Sequence, residues 1–213
     1  MPAKVYVLPI WQKQFKESKG VAIVNTTSRG KTLFERSFSP FTLGPVRLYK
    51  DYHSWTMENA WQYSKVYKEH LKPVSKICHE KLLPLDKSYW KWAKAGWNNM
   101  EAVRYPMGKG RKPEFSLWEG SRLGYVAARR RIYCPLYTRC VLGQSSYHRL
   151  LELYRTKKEL VLLDFDAYDH WEAKMTLSDV LNNPDKKMGH AFVLAMLLTH
   201  DVACGQFLMD TLP

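Results

Sequence analysis

The chain has 213 residues, a length that fits one domain, and 46% of them are hydrophobic, enough for a substantial core. Its 33 Lys and Arg against 20 Asp and Glu give a net charge of +13. That excess favours a polyanionic partner, nucleic acid above all, with a merely basic protein as the alternative. No apolar run reaches transmembrane length, and residues 1–4 lack the apolar segment of a signal peptide. We therefore expect a cytoplasmic protein with no membrane partner.

The four cysteines and seven histidines follow no metal-binding or disulfide pattern. The cysteines, at positions 78, 134, 140 and 204, include no C-x-x-C pair, so we expect reduced thiols. The chain has neither a P-loop nor a G-x-G-x-x-G fingerprint. We therefore predict no metal and no cofactor.

The first fifty residues predict short strands. These are an edge strand over 5–10 stopped by proline, a buried strand over 21–24, and segments 37–41 and 46–49. A turn rich in hydrogen-bonding groups follows the second strand. In it, Asn25, Ser28 and Arg29 can hold a phosphate or a ribose, although a plain surface turn is equally consistent.

A helix is predicted over residues 57–70, and it carries the strongest candidates for catalysis. Thr56 can cap its start, and Glu58 then falls in the first turn, where the helix dipole favours a carboxylate. Gln62 and Lys65 lie on the same face as Glu58 at helical spacing. Such a face is usually solvated, but a partly buried Glu at a crowded helix start can act in catalysis.

The rest of the chain alternates helical segments with one buried strand. The predicted elements are a helix over 74–83, a short helix capped by Asp86 or Ser88, a long helix from Ser116 to about Leu142, a helix over 146–155, a strand over 159–166 and a last helix over 190–199. At the start of that last helix, Lys187 or its neighbour Lys186 can meet a phosphate.

Positive charge concentrates between Arg104 and Arg131. Eight Lys or Arg and two Glu give this stretch of 28 residues a net charge of +6. A basic glycine-containing loop and an arginine run supply the candidate contacts to a nucleic-acid backbone, although a solvated loop is the alternative. These candidates are Lys109, Arg111, Lys112, Arg129, Arg130 and Arg131.

Two of these segments resemble the NADAR (YbiA-like) family. Residues 37–41 are similar to its opening motif, and residues 56–65 to its Ser-x-Glu-His-x-x-Gln-x-x-Lys helix, with Thr56 in place of Ser and Asn59 in place of His. The resemblance covers roughly residues 20–200. It implies an α+β, mostly helical single domain with a few short N-terminal strands. We accordingly assign residues 1–19 to an N-terminal extension and residues 20–213 to one catalytic domain.

The resemblance also implies an activity, the hydrolysis of N-glycosidic bonds on ribosylated nucleotides with the helix Glu as an essential residue. Some members remove ADP-ribose from guanine in DNA. It implies a stacking role for Trp118, and it places an acid and Trp171 near the end of the predicted strand, with Glu172 where Gly is usual. The second acid is Asp166, or else Asp164 or Asp169.

The sequence thus predicts an N-glycosidase that acts on an ADP-ribosylated or otherwise modified nucleobase, with DNA as the favoured carrier. Glu58 and Asp166 are the predicted catalytic carboxylates, because an oxocarbenium-like transition state needs a nearby negative charge and an oriented water. Two alternatives stay open, an N-glycosidase for a free small nucleotide and a binding module without turnover. The predicted substrate-binding residues are Asn25, Ser28, Arg29, Gln62, Lys65, Trp118, Trp171 and Lys187.

Overall fold

The computed structural model describes residues 1–72 and 84–199. It is a single domain of mixed α and β structure, about 37% helix and 17% strand. The helix predicted over 74–83 lies outside the described residues. None of the described helices combines the length and the apolarity needed to cross a membrane.

A three-stranded parallel sheet forms the centre of the fold. Its strands are β1 (Lys4–Pro9), β2 (Val21–Asn25) and β8 (Glu159–Asp164), in the order β1-β8-β2. β8 is the middle strand, and its run of apolar residues is buried, as expected for a strand covered on both faces. The edge strand predicted near the N-terminus is confirmed. β1 contributes Val5, Val7 and Leu8 to the core, so the sheet joins this segment to the rest of the domain.

The helix predicted over residues 57–70 is shorter in the structure. α2 covers Met57–Gln62, with the Thr56 side chain accepting from the backbone N–H of Asn59, so the predicted cap is confirmed. The chain then forms the short strand β5 (Lys65–Val66) and a 3₁₀ turn over Lys68–His70. The prediction of a helix to residue 70 is therefore wrong. β5 instead pairs with β6 (Phe115–Trp118), a tertiary contact that outweighs local helix propensity.

The prediction of a long helix from Ser116 is also wrong for its first residues. Residues 115–123 form a hairpin of β6 and β7 (Ser121–Leu123). Its turn places Glu119 and Gly120 at φ values of 50° and 80°. Two successive left-handed residues are the mark of a tight hairpin turn, and glycine adopts that conformation without strain.

Helical structure begins only after this hairpin. It runs through α4 (Tyr125–Ala128), a π-helical segment (Arg129–Tyr133) and α5 (Cys134–Leu142). Pro135 has no N–H to offer to the carbonyl of Arg131, which accounts for the widened turn just before it. Segments of this kind occur often at functional sites.

The other helices complete the shell around the sheet. They are α1 (Leu33–Arg36), α3 (Lys87–Trp97) capped by Asp86, α6 (Ser145–Thr156), α7 (Leu177–Asn182) and α8 (His190–Thr199). The predictions of α3, α6, α8 and β8 are confirmed, whereas residues 37–41 form turns instead of a strand. Two further short strands, β3 (Val46–Arg47) and β4 (His53–Ser54), form an antiparallel pair that leads into α2.

Candidate active site

A pocket of about 210 Å³ opens at the carboxyl ends of β2 and β8. This is the edge of a parallel sheet at which ligands usually bind, because loops diverge there. α2, the π-helical segment and the start of α8 complete its walls. It is lined by Thr27, Ser28, Ser39, Pro40, Phe41, Glu58, Trp61, Gln62, Lys65, Arg104, Tyr105, Tyr125, Arg129, Tyr133, Asp164, Phe165, Asp166, Lys187, Met188, Gly189 and His190.

Glu58 lies in this pocket at the start of α2. Its backbone N–H donates to the carbonyl of Pro40, which ties the helix start to the turn over residues 37–41. Its side chain is 6% exposed, and Gln62 Nε2 donates to its Oε1 over 2.8 Å. Burial raises the pKa of Glu58 above its ordinary value, although Gln62 and the charge of Lys65 oppose this rise. Burial therefore keeps Glu58 protonated to a higher pH than an exposed glutamate.

Lys65 is joined to Glu58 through Gln62. Its Nζ donates to Gln62 Oε1 over 2.6 Å and lies 4.9 Å from the ring centroid of Trp61. Burial lowers the pKa of Lys65 to about 8, against the opposing attraction of Glu58. Although Lys65 stands beyond the end of α2, its side chain still reaches the face that the sequence predicted.

Three further charged side chains, which come from different loops, also line the pocket. Asp166 Oδ2 accepts from Arg104 Nη2 over 2.7 Å, and its Oδ1 lies 3.7 Å from Lys187 Nζ. Each of these side chains keeps some exposure to solvent. Asp166 therefore holds two cations at the pocket.

Asp164 has a different environment, although it is only two residues away. Its Oδ2 lies 3.0 Å from His190 Nδ1 and accepts from the backbone N–H of Ala191, while its Oδ1 accepts from the N–H of Phe165. The opposite charge of His190 and these donors hold the pKa of Asp164 below its ordinary value despite burial. Asp164 thus fastens the end of β8 to the start of α8.

Aromatic rings make up much of the remaining wall. Trp61 and Tyr133 lie with their ring centroids 5.2 Å apart, and Tyr105 and Tyr125 are partly exposed. Phe165 receives the Arg104 guanidinium at 5.8 Å and the Arg29 guanidinium at 5.1 Å from its ring centroid. Aromatic faces of this kind can stack on a planar ring.

Arg129 is buried in the wall beside these rings. Its Nη1 donates to the carbonyl of Asn183 over 2.6 Å, its Nη2 donates to the carbonyl of Lys186, and its guanidinium lies 4.1 Å from the Tyr125 ring centroid. Its Nε has no hydrogen-bond partner, and no carboxylate pairs with it in the described part of the chain. Such a buried cation suits an anionic ligand.

The structure brings seven of the sequence-predicted residues to one pocket. They are Ser28, Glu58, Gln62, Lys65, Arg129, Asp166 and Lys187. Asn25 supports the pocket from behind, because its Oδ1 accepts from the N–H and the hydroxyl of Thr27. Arg29 is exposed and contacts the pocket through Phe165.

Two tryptophans and one acid do not line the pocket. Trp118 is 6% exposed on β6 and packs edge-on against Tyr49, so its ring is not available to stack on a ligand. Trp171 is half-exposed, and its Nε1 donates to the carbonyl of Val5 beside the edge of the sheet. Asp169 accepts from the backbone N–H groups of residues 171 and 172. This leaves Asp164 and Asp166 as the pocket's acids besides Glu58.

The predicted nucleic-acid contacts divide into two groups. Arg129 is buried in the pocket wall, so its assignment to a surface patch is wrong. Lys109, Lys112, Arg130 and Arg131 are exposed, and the exposed Arg111 pairs with Glu69. The loop over 109–112 continues from the pocket residues Arg104 and Tyr105.

Sequence comparison assigns the chain to a family. The profile of a family of unknown function, DUF6939, matches residues 10–192. The chain belongs to this family. All of the pocket-lining residues fall within the matched stretch, whereas β1 precedes it. The family description names no activity and makes no link to NADAR, so that resemblance stays a prediction. No curated protein and no solved structure gives a significant match.

Several pocket residues were not predicted from the sequence as site residues. They include His190, Tyr133 and Trp61, whereas Arg104 was placed only in the positively charged stretch from residue 104 to residue 131. Only the Trp61 position, one residue from the polar face of α2, offered a local signal. No group of three or more His, Cys, Asp or Glu in residues 1–72 and 84–199 is arranged to hold a metal ion.

Proposed function

We propose that this protein is an N-glycosidase that hydrolyses the N-glycosidic bond of an ADP-ribosylated or otherwise modified nucleobase carried in DNA. In the ADP-ribosylated case, the bond broken joins C1′ of the ADP-ribose to a nitrogen of the base. The observation that supports it most is Glu58, a buried carboxyl group with one oxygen held by Gln62 inside a pocket of aromatic rings and cations. The departing base is planar and can stack on the aromatic rings. The ribose becomes cationic and is stabilised by the carboxylate, and the anionic phosphates are attracted by the cations.

The charges of the pocket favour a phosphate-bearing ligand. Among the described residues, five cationic side chains line it when His190 is counted as protonated, against three carboxylates. His190 is counted so because its Nδ1 faces Asp164 and its Nε2 lies 2.7 Å from the carbonyl of Thr26, which can only accept. These described residues therefore carry an excess of two positive charges. Arg129, without a carboxylate partner in the described residues, adds weight to this reading.

In the proposed mechanism, Glu58 faces C1′ of the ribose. The C1′–N bond breaks with its electron pair going to the base nitrogen, which takes a proton from the Lys65 ammonium. Glu58 stabilises the oxocarbenium-like sugar and removes a proton from the water whose oxygen bonds to C1′. That proton restores Lys65 through solvent. Asp166 holds Arg104 and Lys187 toward the phosphates, which makes it a positioning group instead of a second acid.

A free small nucleotide is the second candidate substrate. It is favoured by the burial of Arg129, because the cations that match a phosphate then lie inside the pocket and not along a surface. DNA is favoured by the exposed cations that follow Tyr105 in the chain. A binding module without turnover would retain these contacts but would not need a perturbed Glu58.

The experiment compares DNA carrying ADP-ribosyl-guanine with free ADP-ribosylated nucleotide and NAD. The proteins are wild type, Glu58→Gln, and Glu114→Gln as a control that removes an exposed carboxylate outside the pocket. We expect release of ADP-ribose from DNA, a loss of about 100-fold or more in Glu58→Gln, and no change in the control. Turnover of the free nucleotide alone would select the second candidate. No turnover of any substrate, with binding unchanged by Glu58→Gln, would contradict the glycosidase.

A further variant tests DNA as the carrier. Arg130→Gln with Arg131→Gln removes two exposed cations outside the pocket. If DNA is bound there, its affinity falls and the salt dependence of binding weakens by about 1.8 in the log–log slope, since each phosphate contact contributes about 0.9. Binding of the free nucleotide should not change. An unaltered slope would exclude these arginines from the DNA contact.

A further inference from the structure

Asn59 makes three hydrogen bonds to a single stretch of backbone. Its Nδ2 donates to the carbonyls of Asn99 and Glu101 over 2.9 and 2.8 Å, and its Oδ1 accepts from the N–H of Val103 over 2.8 Å. The side chain is fully buried. Both of its donor hydrogens and one of its acceptor sites are thus engaged by residues 99–103.

This stretch ends at the pocket. Arg104 follows Val103 directly, and its guanidinium holds Asp166 over 2.7 Å, while the next residue, Tyr105, also lines the pocket. On the other side, Asn59 follows Glu58 in α2. The amide of Asn59 therefore connects the helix that carries the carboxyl group to the loop that carries the cation.

We infer that Asn59 is a positioning residue, which sets Arg104 at the pocket so that its guanidinium holds an anionic phosphate of the ligand. This assignment rests on the phosphate-bearing substrate of the proposed function. The pairing of Arg104 with Asp166 keeps the guanidinium in place until a phosphate arrives. Asn59 touches neither the pocket nor the ligand, and it acts through the backbone of residues 99–103.

The chemistry of the site explains why an amide stands there. Two carbonyls need donors and one N–H needs an acceptor, and a planar carboxamide supplies both from one side chain. An aspartate at position 59 would turn a lone-pair-bearing oxygen toward the two carbonyls. An alanine would leave all three backbone groups without that partner, at a cost in free energy for each one that stays buried.

The test measures binding of inorganic pyrophosphate by calorimetry to wild type, Asn59→Ala, Arg104→Gln and the double variant. Pyrophosphate binding needs no turnover. We expect each single variant to bind about tenfold or more weakly, which corresponds to the loss of one charge-assisted hydrogen bond. The double variant should bind no more weakly than Arg104→Gln, because Asn59 acts through Arg104. Losses that multiply would overturn the inference.

Asn59→Asp, which keeps the size of the side chain, serves if the alanine variant fails to fold. Ser54→Ala is the matched control, since it removes a buried hydrogen bond to the carbonyl of Thr56 at the start of α2 without touching residues 99–103. It should leave pyrophosphate affinity unchanged.

Hydrogen exchange of the Val103 amide separates the outcomes. It should accelerate in the Asn59 variants and not in Ser54→Ala, and an unchanged rate would overturn the role of Asn59 alone. Absence of pyrophosphate binding by wild type would overturn the assignment of Arg104 together with the phosphate-bearing substrate. Coupled losses of binding in a protein that hydrolyses nothing would support the role of Asn59 and contradict only the glycosidase.

Discussion

His190 and Asp164 form a buried ion pair between the first residue of α8 and the last residue of β8. Their Nδ1 and Oδ2 atoms lie 3.0 Å apart, and both side chains are almost fully buried. The second ring nitrogen of His190 faces the carbonyl of Thr26, after β2. One imidazolium therefore joins both strands whose ends form the pocket.

This ion pair should make stability depend on pH. Asp164 raises the pKa of His190 above its ordinary value despite burial, so the His190 contribution is complete below about 6.5, the value in the unfolded chain, and is lost as pH rises through the folded pKa. Asp164→Asn should lower the free energy of unfolding by about 3 kcal/mol or more, because the remaining charge stays buried. Urea denaturation between pH 5 and 9 measures it. The difference from wild type should shrink at alkaline pH, and a constant difference would contradict the pair.

Gly189 should not tolerate a side chain. A Cβ built on it would lie 2.1 Å from Asp164 Oδ2, far inside van der Waals contact. Gly189→Ala should therefore destabilise the fold by about 1–3 kcal/mol and displace Asp164 from His190. Gly143→Ala is the control, since a Cβ there would meet nothing within 4 Å. Thermal or urea unfolding measures both variants, and equal stabilities would show that the loop before α8 adjusts freely.

Glycosidase activity should have a bell-shaped pH profile. Glu58 must be ionised, and burial raises its pKa, so activity rises with pH through a value above the ordinary one. Lys65 must be protonated, and its pKa of about 8 places the descending limb there. Lys65→Arg should lower the rate by about 100-fold or more and remove the limb near 8 from the residual activity, since arginine keeps its proton in this range and cannot give it to the base. A descending limb that stays near 8 in this variant would assign it to another group.

Substitution of Trp61 should mainly weaken nucleotide binding, whereas substitution of Trp118 should mainly lower the stability of the fold. Trp61→Leu should weaken nucleotide binding by about 1–3 kcal/mol if the base stacks on this ring, with a smaller effect on the fold. Trp118→Leu should destabilise the fold, because its ring packs in the core against Tyr49, and should leave affinity unchanged in the folded protein. Fluorescence titration and urea unfolding measure the two effects. The opposite pattern would restore the stacking role that the resemblance implied for Trp118.

Local sequence patterns predicted elements that depend on local interactions. The cap at Thr56, the proline-stopped edge strand and the apolar run of β8 each follow from side chains within a few residues. The hairpin over 115–123 was missed because apolar residues there also fit a helical spacing. Its signal was Gly120 between two alternating runs, which becomes decisive only when a neighbouring strand such as β5 is known.

The candidate site was predictable over the stretch for which the sequence predicted one helix, although only its first part, α2, is helical. Glu58, Gln62 and Lys65 were found at helical spacing, and their hydrogen bonds follow that spacing. Arg104, Asp166 and His190 meet the pocket through contacts between distant segments, which no local period encodes. The buried state of Arg129 also depends on carbonyls more than fifty residues away.

The position of β8 between β1 and β2 has a consequence for synthesis. Val21 pairs with Glu159, 138 residues later in the chain, and among the strands that the structure describes both outer strands pair only with β8. At 5–20 residues per second, a ribosome needs roughly 7–28 s to make that interval. Throughout it, the two N-terminal strands lack the one strand with which they pair in the described part of the chain. A nascent chain of this protein should therefore depend on chaperones until β8 emerges, and truncation before residue 159 should leave an aggregation-prone product.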